Sequence, residues 1–328
     1  VSRAPTLSRW RAGTVPPMRA LLVVNPNATT TTERGRDILV RALRSQVDLE
    51  VAYTQRKGHG VELARDAARQ GFDLVVTLGG DGTVNEAVNG LMTFDAGPSA
   101  GRAQERPALA VVPGGSTNVF ARALGLPSDW AEGTGAILEA LRDRRERIVG
   151  LGRADDRYFT FCAGMGLDAE VVRRVDQARH RGSTSTPWLY FRSIAQQYAS
   201  TNRRVPLLTL EVPGEPARSG LTWMLVQNTA PWTYIGERPV DPNPRASFDT
   251  GLDVLGLLQM QVGSTVRTMS QLVRGVDPKG KQVLRMHDLA GFTLTAAKPI
   301  AFQVDGEYLG ECDKLDFASV PGALRVVC

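Results

Sequence analysis

A chain of 328 residues exceeds the commonest size of a single domain, and 42% apolar residues suffices for sizeable cores, so two domains are expected. No stretch approaches the roughly 18 uninterrupted apolar residues of a bilayer span. The N-terminus, with Arg3, Arg9 and Arg11 and no apolar run, is not a signal peptide, so a cytoplasmic protein is expected.

Residues 1–17 hold three prolines and no apolar period, which predicts a flexible arm. The run Ala20 to Val24, stopped by Asn25-Pro26, reads as a buried strand ending at a turn. Arg34 to Leu43 has helical spacing, Leu49 to Tyr53 is a strand and Gly60 to Arg69 a helix. Leu74 to Leu78 is a second buried run leading into Gly79-Gly80-Asp81-Gly82-Thr83, with helix from Val84 to Leu91. Leu109 to Val112 ends at Pro113-Gly114-Gly115-Ser116, and helix follows from Asn118 to Leu124. Strands alternating with helices predict an α/β domain with a mostly parallel sheet, whose ligands bind outside the carboxyl ends of the strands. Beyond about residue 147 the pattern changes to short strands: Tyr158–Cys162, Leu207–Val212, Leu221–Gln227, Val254–Met260, Phe292–Thr295, Ile300–Val304 and Leu324–Val327. Helices are expected at Pro187–Ser200 and Ser264–Arg274. The expectation is a flexible arm (1–17), an α/β nucleotide-binding domain (18–147) and an all-β sandwich (148–328) whose last strand has the option of returning to the first domain.

Glycines directly after a buried strand let backbone approach a phosphate, and the N–H groups of the next helix point at it. Gly79 to Thr83 has that form without being a Walker loop. An aspartate there repels an anion unless a cation intervenes, which makes Asp81 a candidate to hold Mg²⁺. Pro113 to Asn118 is a second such turn, with Gly115, Ser116 and Asn118 as candidate phosphate contacts. Asn25 ends a strand at the same edge, and Glu86 follows the first loop in its helix. Asp305-Gly306-Glu307, a tight turn after a strand, supplies carboxylates able to accept a hydroxyl proton. The three cysteines, Cys162, Cys312 and Cys328, have no metal-ligand spacing and read as free thiols; His59, His180 and His287 are scattered. The net charge of +5 is modest, and no nucleic-acid partner is expected.

In order and content, Val24-Asn25-Pro26, Gly79 to Glu86, Pro113 to Asn118, Gly166-Leu167-Asp168-Ala169, Asp249 to Val254 and Val304 to Glu307 resemble the diacylglycerol and sphingosine kinase family, nearest its bacterial diacylglycerol kinase branch. The resemblance implies an α/β domain similar to those of NAD kinase and phosphofructokinase, followed by a β-sandwich. ATP contacts are implied at Asn25, Thr54, Gly79, Gly80, Asp81, Gly82, Thr83, Asn85 and Ser116, and Asp305 and Glu307 at the reacting hydroxyl. A structural Mg²⁺ is implied at Asp249, with carbonyls of Ala246 and Gly251. Glu307 is the preferred proton acceptor, with Asp305 and Asp81 as further catalytic candidates. The implied function is phosphorylation of diacylglycerol at a membrane surface, with transient membrane contact and a homodimer left open. Two departures stand out: Val119 takes the place of the family's aspartate after Asn118, and Ala28 with threonines replaces a Ser-Gly pair. Alternatives are a kinase for another lipid alcohol, an NAD kinase-like enzyme with a soluble substrate, and a non-catalytic sensing module. The aromatics Trp188, Tyr190 and Phe191, with arginines nearby, suit either core or a membrane-facing surface.

Overall fold

The structure, a computed structural model, describes residues 18–28, 32–94, 103, 106–180, 208–258 and 262–328. The expected arm at 1–17 and the expected helix at 187–200, with its aromatic group, lie outside the described residues.

The first region is built from four strands, β1 (Arg19–Val24), β2 (Asp48–Tyr53), β3 (Leu74–Gly79) and β4 (Ala108–Pro113), paired parallel in the order β2-β1-β3-β4, all but the edge strand β2 buried. Continuous apolar runs such as Leu74-Val75-Val76 suit strands covered on both faces. Helices α1 (Glu33–Arg44), α2 (His59–Arg69), α3 (Asp81–Met92), α4 (Val119–Ala123) and α5 (Trp130–Asp143) connect or follow them. Local chemistry sets their ends. Thr32 caps α1 by accepting the Gly35 N–H, and Asp129 caps α5 by accepting from Ala131 and Glu132.

The second region is rich in antiparallel strands. They are β5 (Glu146–Ala154), β6 (Arg157–Phe159), β7 (Cys162–Met165), β8 (Leu208–Glu211), β9 (Arg218–Leu221), β10 (Trp223–Gln227), β11 (Thr233–Ile235), β12 (Arg238–Val240), β13 (Leu252–Leu257), β14 (Val283–Leu289), β15 (Gly291–Val304) and β16 (Glu307–Val327). Helices α6 (Leu167–His180) and α7 (Val262–Val273) interrupt them. The result is a mixed sheet, mostly parallel at one end and antiparallel at the other, along the path β14-β13-β10-β7-β15-β16-β4-β3-β1-β2. The two ends meet at β16, whose Val326 and Val327 lie parallel to Leu109 and Ala110 of β4 while pairing antiparallel with β5. One core cluster lines the parallel strands and includes Leu324 and Val326. A second joins Met165, Leu210, Met224, Leu294 and Phe317, with Phe292 stacked on Phe317 at 5.0 Å.

Several boundaries differ from expectation for physical reasons. Helix α3 starts at Asp81, so Asp81, Gly82 and Thr83 form its first turn instead of a free loop. The expected strand Tyr158–Cys162 is broken at Thr160 and Phe161, whose N–H groups turn to a carboxylate. Two expected strands, Phe292–Thr295 and Ile300–Val304, are one strand, β15, that absorbs Pro299 in a register shift. Residue 147 lies within β5, and the long stretch of β16 before Leu324, whose exposed and buried residues alternate irregularly, escaped the sequence reading.

Candidate functional site

Strand order places β2 on one side of β1 and β3 on the other, a switch point at which the carboxyl ends diverge. Asn25 stands there. Its N–H donates to Leu78 O at 3.0 Å and its Nδ2 to Thr83 Oγ1 at 3.3 Å. Thr54 closes behind it, donating its N–H to Val24 O at 2.9 Å. The two glycine turns pack backbone against backbone. Gly114 N–H donates to Gly79 O at 2.8 Å, and a Cβ on Gly115 would lie 2.6 Å from Gly80 Cα. A Cβ on Gly79 would overlap Thr83. Asn118, at φ 52°, clamps the second turn: its Oδ1 accepts the Gly115 N–H at 2.9 Å and its Nδ2 donates to Gly115 O at 2.8 Å. Ser116 is exposed at the tip. Gly80 precedes α3 without a side-chain cap, and a Cβ on Gly82 would meet open space. The uncapped positive end of α3 therefore faces a lip of glycine backbone, an arrangement suited to phosphate.

The acidic residues of the first motif are engaged elsewhere. Asp81 Oδ1 and Oδ2 accept the N–H groups of Phe120 and Val119, each at 3.1 Å, so its carboxylate caps α4. Burial pushes the Asp81 carboxyl up to about 6; the Phe120 and Val119 amides oppose this and the charge of Asp305 adds to it. At the position where the resembling family carries a carboxylate, Val119 offers its backbone N–H to Asp81. Glu86 accepts from Gly58 N–H at 2.7 Å and Gly60 N–H at 2.9 Å, holding the first turn of α2. Asn85 and Asn89 face the second region. Asn85 Nδ2 donates to Tyr158 O and Asn89 Oδ1 accepts the Tyr158 N–H, locking α3 to β6. Asn85 and Glu86, expected at the nucleotide, follow the open first turn of α3 and make these contacts within the protein.

The Asp305–Glu307 turn divides its two carboxylates sharply. Asp305, at φ 48° and 5% exposed, accepts five hydrogen bonds: the Thr160 N–H and hydroxyl, the Phe161 and Cys162 N–H groups, and Asn85 Nδ2 at 2.7 Å. Burial raises its pKa above the ordinary carboxylate value, and these donors pull it back down. Glu307 is held by cations alone among its recorded contacts, Lys57 at 2.6 Å and Arg157 at 3.4 Å. Arg157 also donates to Asn85 Oδ1 at 2.6 Å.

At the expected structural metal, Asp249 Oδ2 pairs with Arg147 at 2.7 Å, and the Ala246 carbonyl accepts the Ala230 N–H at 3.1 Å. Gly251 donates its N–H to Asp288. Among the described residues no three His, Cys, Asp or Glu side chains cluster for a metal. Asp81 spends both carboxylate oxygens on backbone N–H groups and does not fit Mg²⁺ as it stands, whereas Asp249, 66% exposed, gives one oxygen to Arg147 and would have to exchange that cation for a metal. The cysteines are free thiols, with Cys162 buried. His59 accepts the Gln55 N–H, and His287 pairs with the buried Asp253 at 2.7 Å.

Sequence reasoning missed Lys57, Arg157, Thr160, Asn89 and Arg147. Lys57 had a signal, since a rare lysine beside a glycine follows the carboxyl end of a parallel strand. The others act through partners that no local pattern reveals.

Residues 19–154 match the family model for the diacylglycerol kinase catalytic domain. A YegS-like lipid kinase of Chromohalobacter salexigens is 29% identical over 303 residues, covering 88% of this chain and 86% of that protein. A diacylglycerol kinase of Bacillus subtilis is 32% identical over 163 residues, 47% of this chain and 48% of that protein. Among solved structures, a diacylglycerol kinase of Bacillus anthracis str. Sterne superposes with a TM-score of 0.69 at 18% identity, covering 96% of this chain and 98% of that one. At that identity the likeness speaks for the fold alone.

Proposed function

We propose that the chain, whose residues 19–154 match the family model for the diacylglycerol kinase catalytic domain, is a lipid kinase that transfers the γ-phosphoryl group of ATP to the hydroxyl of diacylglycerol, giving phosphatidic acid. The observation that carries this reading is the path through α3. Its open first turn lies in the glycine motif, and Asn85, in its second turn, donates to Asp305 two residues from Glu307. A phosphate held at the first end therefore lies on the same rigid element that orients the carboxylate turn.

In this reaction the lipid hydroxyl oxygen bonds to the γ-phosphorus, the bond from that phosphorus to the β,γ-bridging oxygen breaks, and ADP leaves. Glu307 takes the hydroxyl proton. It is the better acceptor because Asp305 already accepts five donors and serves to orient the turn. The glycine turns and the end of α3 position the phosphates, which is most of what phosphoryl transfer asks of a protein. No step here is routed through a metal.

The reading divides the labour near residue 147, with nucleotide on the first region, in the manner of NAD kinase and phosphofructokinase, and lipid on the second. Among the described residues no helix is long and apolar enough to cross a membrane. Access to the lipid is then peripheral.

The test offers labelled ATP with diacylglycerol, sphingosine or NAD to the full chain and to Glu307→Gln. Diacylglycerol is expected to be labelled, and Glu307→Gln to lower single-turnover rate about 10²–10⁴-fold without loss of ATP affinity. Label on NAD alone, or on no acceptor, overturns the lipid reading. Full activity in the variant removes Glu307 as the base.

A further inference from the structure

Two cations hold the two carboxylate oxygens of Glu307, and they differ in freedom. Arg157 comes from β6, is 27% exposed and is docked on Asn85, with its Nε buried and unpartnered among the described residues. Lys57 comes from the loop between β2 and α2, is 67% exposed and touches Glu307 Oε1 through Nζ at 2.6 Å. Its backbone is rooted, because Gly58, at φ 82°, donates its N–H to Glu86 of α3. The Lys57 stem is thus anchored to the helix whose first turn faces the phosphate site, while its ammonium is free to swing.

The charges at this point are unbalanced. Glu307 contributes one negative charge, and Lys57 and Arg157 contribute two positive charges. Asp305 is enclosed by its donors, Asp81 is turned to α4, and Val119 carries no carboxylate. Two cations thus meet one carboxylate directly, with Glu86 and Asp305 held by their own donors nearby, at the carboxylate that must receive a proton while an anionic phosphoryl group passes close by.

We infer that Lys57 is a catalytic cation with two alternating partners: it masks Glu307 Oε1 in the free protein and moves to the γ-phosphate of bound ATP. The move neutralises the transferring phosphoryl and frees Oε1 to accept the lipid hydroxyl proton. Arg157 is a positioning residue, holding Oε2 and Asn85 throughout. The second half of this inference rests on the lipid-kinase reading; the selection of ATP over ADP does not.

Calorimetric titration of the full chain with ADP and with a non-hydrolysable ATP analogue tests it, using wild type, Lys57→Met and Lys57→Arg. Loss of a charge-assisted contact to the γ-phosphate lowers analogue affinity about tenfold or more in Lys57→Met. ADP affinity should change less than about twofold, and Lys57→Arg should restore most of the discrimination. Single-turnover labelling of diacylglycerol at saturating ATP should fall at least about tenfold in Lys57→Met, because bound nucleotide no longer has its cation. Equal losses for ADP and the analogue, or no loss for either, overturn the role of Lys57. Wild type that labels diacylglycerol while Lys57→Met keeps full ATP selectivity sinks this inference alone. Wild type that labels no lipid yet loses ATP selectivity with Lys57→Met sinks the lipid reading and leaves the γ-phosphate contact standing.

Discussion

The parallel and antiparallel regions solve the problem of strand pairing differently. In the first, β1 pairs with β2 and β3, and β3 with β4, so partners follow one another along the chain. The inner strands β1, β3 and β4 are buried along nearly their whole length, while β2 at the edge is largely open. In the second, Met165 of β7 pairs with Phe302 of β15, and β16 reaches back to both β4 and β5. Burial along β15 is broken by an exposed stretch at Ala297 to Pro299. Local order therefore suffices to build the parallel end, whereas the carboxylate turn depends on contacts made at long range. The two regions meet through α3 and Asp305.

The comparison breaks most directly at that seam. Asp305→Ala removes the acceptor for five donors from Asn85, Thr160, Phe161 and Cys162. Leaving buried donors unpaired costs about 1–3 kcal/mol each before relaxation, so urea unfolding should show a loss of at least about 3 kcal/mol. A loss below about 1 kcal/mol would mean that water replaces the carboxylate and that the seam is looser than drawn.

A second effect comes from Asp81. Its folded pKa of about 6 lies above the ordinary value of 3.8, so between those values the folded chain holds a proton that the unfolded chain has lost. Stability from this group is fully present below about pH 4, falls as pH rises toward 6 and is flat above about 7. The total is about 3 kcal/mol for the shift, at 1.36 kcal/mol per unit. The difference in unfolding free energy between wild type and Asp81→Asn, followed from pH 4 to 8, should trace that step. A flat difference would show that the carboxylate is solvated and does not cap α4 as a buried group.

Smaller is the effect of Gly115→Ala. The added methyl meets Gly80 Cα at 2.6 Å, and neither backbone has a side chain to move aside. Overpacking of this kind costs about 1–3 kcal/mol, and the separated turns should also weaken ATP binding. Unchanged melting temperature with unchanged ATP affinity would show that the two glycine turns do not need their close contact.

The smallest effect is expected at Asp249. Its partner Arg147 is 40% exposed and Asp249 itself 66%, so the pair contributes at most about 1 kcal/mol. Melting temperature in Mg²⁺ and in chelator should agree for wild type and for Asp249→Asn. A chelator-sensitive wild type with an insensitive variant would return Asp249 to the metal role that the family resemblance implied.

The parallel end was legible because its signals are local. A buried apolar run, a glycine pair and the next helix are contiguous from Leu74 to Met92, and turn chemistry there depends on neighbours one to four residues apart. Even so, sequence placed the start of α3 at Val84, because two glycines read as loop when the packing of Thr83 against Gly79 is invisible. The second region was legible as strand-rich, yet the break at Thr160 and the single long β15 were not. Both follow from partners far away in sequence.

The sequence by itself determined the parallel strands, the two glycine turns and the presence of a Asp305–Glu307 turn, since periodicity and backbone freedom are properties of short segments. Only the tertiary structure decided what each carboxylate does. Asp81 caps α4 through Val119 and Phe120, 38 and 39 residues on. Asp305 is enclosed by donors 143 to 220 residues away, and Glu307 is left to two cations brought by other strands and loops. An acid's chemistry is set by its burial and its partners, and for these residues both arise only when distant segments pack together.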